Sequence, residues 1–162
     1  MFELLFLLSF TLHNLEEALW LPKWSAYAKK FHKEVSYQEF HFAVLIITIF
    51  GYILTFLSLA FGKEIAVIRY SYLGFVLMMC FNALFPHLAA TIILRKYSPG
   101  TLTGLLLNLP IGLYLIFKIN GIKIYDYRLL VSFVLIAGIT LLSLKPLFRL
   151  GNKLLGDVKD KE

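Results

Sequence analysis

Four residues equipped for chemistry sit in a stretch that is otherwise rich in Leu and Phe: Ser9, His13, Glu16 and Glu17. At 100° per residue they share one face of a helix. Asn82 and His87 lie in a later apolar run, Asn108 in the next, and Arg95 in the short polar turn between those two. Two imidazoles, two carboxylates and an asparagine can do three kinds of work. They can hold a divalent metal, since zinc, iron and manganese accept imidazole with carboxylate, and His13 with Glu17 spans one helical turn. They can share or relay protons, because a carboxylate desolvated by lipid holds its proton more tightly. They can also simply hydrogen-bond helix to helix.

The elements that carry these groups follow from composition. Of 162 residues, 59% are apolar and 16% charged, against about 45–50% and about 25% in soluble domains. Mean hydropathy is +0.76. A soluble enzyme of this composition would need a core too large for its surface, and disorder is excluded by the same figures. Apolar runs at Phe2–Leu21, Phe40–Phe61, Ala66–Leu94, Leu102–Phe117 and Leu129–Leu147 are long enough, or nearly so, to cross a bilayer. They lack the alternation of barrel strands, so the expectation is one all-α integral membrane domain over 1–162, a polytopic bundle of five spans. The first run is not read as a signal peptide, because residues 1–12 hold Glu3 and no Lys or Arg.

Lys and Arg set the expected orientation. Lys63, Arg69, Lys118, Lys123 and Arg128 fall on one side and the other eleven on the opposite side, which makes the N-terminus external and the C-terminus cytoplasmic. Residues 23–37, where Trp24, Tyr27, Ala28, Phe31 and Val35 recur at helical spacing among lysines, read as a cytoplasmic interfacial amphipathic helix. Residues 150–162 read as a basic, loosely held tail. The net charge of +6 suits anionic lipid better than nucleic acid, which is not expected as a partner. The single cysteine, Cys80, offers neither an intrachain disulfide nor a cysteine metal site.

Charged groups inside a span are expensive, about 2.5–3.5 kcal/mol for a central acid, so the polar stripe of the first helix must find partners within the bundle. Counting from the cytoplasmic ends, His13 lies eight residues inside Leu21, His87 eight before Arg95 and Asn108 six past Leu102. Three spans therefore place polar groups at one depth, in the cytoplasmic half. Gly104, Asn108 and Gly112 form a small-residue stripe that admits a close neighbour. Pro86 and Pro110 free the carbonyls of Asn82 and Leu106, which is tolerated where backbone lines protein or a cavity. His41, at the start of the second span, and His32 are read as solvated or structural.

The string His13-Asn14-Leu15-Glu16-Glu17, with Asn82, His87, Arg95, Tyr97, Pro99, Gly100 and Thr103 downstream, resembles the HXXEE family of small bacterial membrane proteins over most of the chain through Pro110. That resemblance implies a multi-span protein of the bacterial plasma membrane and does not name a reaction. Intramembrane CAAX-type proteases share paired glutamates and histidines, but their Arg four residues after the second Glu is Leu21 here, and Ala83 stands where Phe would be needed.

The reading drawn from these residues is a buried His/Glu/Asn site in the cytoplasmic leaflet. As an enzyme, the protein would be a metal-assisted hydrolase or transferase acting on a lipid or lipid-linked substrate. His13, Glu17 and His87 would ligate, Glu16 act as general base and Asn108 orient substrate, with Asn82 and Arg95 in support. A proton- or cation-coupled carrier and a non-catalytic scaffold are the alternatives.

Overall fold

In the computed structural model, which describes residues 1–29 and 34–156, five helices are long and apolar enough to cross a membrane: α1 (Phe2–Tyr27), α2 (Tyr37–Phe61), α3 (Ala66–Leu94), α4 (Thr101–Ile119) and α5 (Tyr127–Leu155). No strand occurs among the described residues. The third span has the expected bounds. The others run on by a few residues, because polar ends such as Lys23 and Arg149 continue a helix into the headgroup layer at no hydrophobic gain.

That extension changes the reading of residues 23–37. Lys23–Tyr27 is the last part of α1, which passes through Pro22 without ending. The chain then returns to α2 without helix at residues 34–36. Ser25 makes the return compact, donating to the Pro22 carbonyl at 2.8 Å and accepting from the Val35 amide at 3.1 Å. Ser36 and Glu39 then form a reciprocal capping box that starts α2. A separate interfacial helix over 23–37 is therefore not formed in the described part. Helical spacing of aromatics cannot distinguish a new helix from the continuation of the last one. The rest of that expectation, with His32 and Phe31, falls on residues 30–33, outside the described residues. The expected basic tail is likewise helical to Leu155, and residues 157–162 lie outside the description.

The bundle centre is filled by Phe6, Phe10, Tyr72, Phe75, Val76, Leu115 and Ile116, which are almost fully buried. Phe75 receives Phe10 edge-on at 5.0 Å and Phe6 at 6.3 Å, the geometry favoured by the ring quadrupole. Helix α1 packs on α2 and α4, while α5 packs on α2 and α3. At the end away from the polar site, Arg69 donates to the Asn120 carbonyl at 2.8 Å and Tyr70 to Asp126 at 2.8 Å. These bonds tie the α4–α5 turn to α3.

Two spans are irregular. Helix α3 is kinked within Ala83–Leu88, where Phe85 leaves helical geometry (φ −138°, ψ 118°) and the Phe85–Pro86 peptide is cis. Helix α4 widens over Gly104–Asn108 and again over Tyr114–Ile119. Pro86 sits in the kink and Pro110 two residues past a wide turn, as expected where an amide donor is missing. The small-residue stripe faces α3 as anticipated: a Cβ added at Gly104 would lie 2.9 Å from the Ala83 Cβ, and one at Gly112 would collide with Cys80.

Candidate functional site

The kink of α3 and the first wide turn of α4 face each other and meet α1 near His13. His13 is fully buried and His87 nearly so, while Glu17 is half-buried. The two imidazoles meet edge-on with centroids 5.2 Å apart. One oxygen of Glu17 lies 2.8 Å from His87 Nε2 and 3.7 Å from His13 Nε2. The three potential ligand atoms all fall within 4.8 Å of one another. Asn82 adds its amide nitrogen, 3.2 Å from His13 Nε2. Four of the seven residues singled out in the sequence thus converge: His13, Glu17, His87 and Asn82.

Glu16 has a different environment. One of its oxygens accepts from the Gly100 amide at 2.8 Å and from the Tyr97 hydroxyl. The other accepts from the Thr103 amide at 3.1 Å and the Thr103 hydroxyl at 2.6 Å. The carboxylate caps the N-terminus of α4 from a neighbouring helix, where amide donors and the helix dipole both favour an anion. Two donors therefore engage each oxygen of Glu16, the residue expected as general base. Removal of the phenol from water and its bond to Glu16 push Tyr97 up to about 12, so it remains a donor at neutral pH.

Asn108 is fully buried but lies beyond the cluster. Its Oδ1 accepts from Ser9 at 2.5 Å, and Ser9 sits one helical turn before His13. This bond ties α1 to α4 through Asn108, the residue expected to orient substrate. Asn108 stands one helical turn past Gly104, the glycine that packs against Ala83. Arg95 is exposed, with left-handed backbone (φ 49°) at the end of α3, and makes no contact with the cluster. His41 is structural as expected, bonding the Ala18 carbonyl at 2.8 Å. Asn14, inside the motif string, ties α1 to α2 by donating to Thr48 at 2.7 Å.

The residues that sequence reasoning left aside are in the α3–α4 turn. The Pro99 backbone hydrogen-bonds the His87 ring, and since proline has no N–H it is the carbonyl that accepts. Thr103 Oγ1 lies 3.1 Å from His13 Nδ1. Gly100 has φ +89°, and a Cβ there would stand 2.8 Å from a His87 ring carbon and 2.9 Å from a His13 ring carbon. Only glycine meets both demands. The signal that could have found this turn was its Tyr, Pro, Gly and Thr spacing, which was quoted as a family block but read as a topological anchor.

Fold and site together define a helical protein with membrane-spanning segments and an internal histidine–carboxylate cluster. The chain belongs to the family described as proteins of unknown function with an HXXEE motif, whose model matches residues 4–115. It is also similar to "Uncharacterized protein YrkK" of Bacillus subtilis (strain 168), with 42% identity over 153 residues, covering 94% of this chain and 96% of that protein. No solved structure matches it.

Proposed function

We propose that the protein is an integral membrane metalloprotein, a metal-assisted hydrolase or transferase acting on a lipid or lipid-linked substrate at the inner leaflet of the bacterial plasma membrane. The observation that carries this reading is the trio His13, Glu17 and His87, whose ligand atoms gather within 4.8 Å. Two imidazoles and one carboxylate are a donor set suited to zinc, iron or manganese, and three protein ligands leave a position open, as in catalytic sites. A divalent metal held there would supply Lewis acidity to a carbonyl or phosphoryl oxygen.

The chain's own residues do the rest. Asn82 stands beside His13 where its amide can meet a substrate oxygen. The α3–α4 turn covers the cluster and limits access by water. A groove of about 640 Å³ between α1 and the start of α4 is lined by Leu12, Leu15, Leu19 and Leu102, with Glu16, Tyr97 and Thr103 as its polar residues. An apolar chain arriving sideways from the bilayer can rest there, which supports a lipid substrate. Placing the eleven-cation side in the cytoplasm puts this groove in the inner leaflet. Packing also favours an enzyme over a carrier, because the far side of the cluster is filled by Phe6, Phe10 and Phe75, and a carrier needs access from both faces.

The test is metal analysis of the full chain purified in detergent with native lipid. Zinc, iron or manganese is expected at about one per chain, and lost in His13→Ala and His87→Ala with the helical circular dichroism unchanged. Absence of all three metals after growth with each of them in excess would overturn the reading.

A further inference from the structure

The Thr103 hydroxyl carries one proton, and that proton is spent on Glu16: the 2.6 Å bond to a carboxylate oxygen requires Thr103 to donate. Towards His13 the same oxygen can then only accept. The 3.1 Å contact between Thr103 Oγ1 and His13 Nδ1 therefore places a proton on Nδ1. At the opposite ring nitrogen the neighbour is the amide nitrogen of Asn82, 3.2 Å away, a donor that requires a lone pair on Nε2. The contacts of Thr103 and Asn82 agree on one tautomer, with the hydrogen on Nδ1 and the lone pair of Nε2 turned towards Glu17 and His87, and the Gly100 carbonyl is a further acceptor at the ring. His87 is held differently, by acceptors: a Glu17 oxygen lies 2.8 Å from its Nε2, and the Pro99 carbonyl also accepts from its ring.

We propose that Glu16 is a positioning residue which, through the Thr103 hydroxyl, fixes the His13 tautomer that presents Nε2 to the cluster. The pair of glutamates in the motif then divides its work. Glu17 enters the cluster directly, while Glu16 stands behind the imidazole, a carboxylate–hydroxyl–histidine chain of the kind that orients metal ligands. Tyr97 and the amides of Gly100 and Thr103 hold the Glu16 carboxylate and so keep the Thr103 proton pointed at it. The same bonds fasten the α3–α4 turn to α1. The glutamate thereby connects the cover of the site to the orientation of the ring beneath it.

The tautomer is read without any metal. In the full chain in nanodiscs, with histidine labelled by nitrogen-15 and His13 assigned by its absence in His13→Asn, the metal-free wild type is expected to show a protonated Nδ1 and an unprotonated Nε2. Thr103→Val should move a large share of His13 to the Nε2–H form, and Thr103→Ser should restore the wild-type pattern. An Nε2–H ring in the wild type overturns the proposal whether or not any variant folds, and so does a Thr103→Val ring unchanged from wild type. The second readout rests on the metal-site reading: cobalt(II) affinity should fall by about 10–100-fold in Thr103→Val and return in Thr103→Ser. Should the wild type bind no metal while the tautomer behaves as stated, the proposed function fails and the positioning role stands. Should His13→Ala abolish binding while Thr103→Val changes neither tautomer nor affinity, the reverse holds.

Discussion

The two halves of the bundle solve different problems. Helices α2 and α5 are unbroken, their surfaces are largely apolar and exposed, and α5 buries little besides Leu129, Ile136 and Gly151. Helices α1 and α3 hold the buried histidines and carboxylate, α4 adds buried Thr101 and Asn108, α3 is kinked at Pro86 and α4 widens shortly before Pro110. The difference shows where irregularity is tolerable in a membrane. A loosened backbone exposes carbonyls and amides, which survive only where other protein groups can satisfy them. The irregular spans face one another, and the outer surface of the regular pair is exposed and apolar, as a lipid-facing surface would be. The family match over residues 4–115 ends before α5 begins, so it covers every residue of the cluster and not the helix that contributes least to it.

This contrast can be broken or sharpened by substitution. The largest effect is expected for Gly100→Ala, which combines a left-handed backbone, about 1–2 kcal/mol for an L-residue, with a methyl thrust against both imidazoles. Metal retention should be lost and the thermal midpoint in detergent should drop. A variant that keeps its metal would show that the turn does not press on the histidines. Next is Gly74→Ala, whose added carbon would stand 2.7 Å from the backbone of Ser132. Backbone cannot yield cheaply, so a loss of about 1–3 kcal/mol is expected, this time with metal content intact, since only the α3–α5 crossing is disturbed.

Smaller still is Ser9→Ala, which removes the tie to Asn108. An interhelical bond of this type is worth about 0.6 kcal/mol, and metal content should not change. A large loss of metal there would restore Asn108 to the site. The smallest effect belongs to Gly138→Ala on α5, where an added Cβ meets nothing within 4 Å. Stability measured by unfolding in mixed micelles should stay level or rise slightly, by less than about 1 kcal/mol. A clear loss would mean that this face of α5 is packed against something other than lipid.

Much of the architecture was legible beforehand. The five apolar runs match the five long helices, and the depth count that grouped His13, His87 and Asn108 leads to the two imidazoles that do meet. One reading failed for an identifiable reason. Residues 23–37 look like a new helix because amphipathic spacing carries no information about whether a helix has stopped, and Pro22 is tolerated inside α1. The partners of Glu16 were out of reach of local sequence, because its donors come from residues more than eighty positions away.

Composition, run length and spacing were enough to find five helices long and apolar enough to cross a membrane and to bring two imidazoles together. Hydrophobic length and helical rise are properties of one segment at a time. What each carboxylate does was decided only in three dimensions. A hydrogen bond is made or lost over a fraction of an ångström, and the distances here are set jointly by the crossing of α1, α3 and α4 and by the left-handed turn at Gly100. The same two adjacent glutamates therefore reach different partners, Glu17 the pair of histidines and Glu16 the amides that open α4.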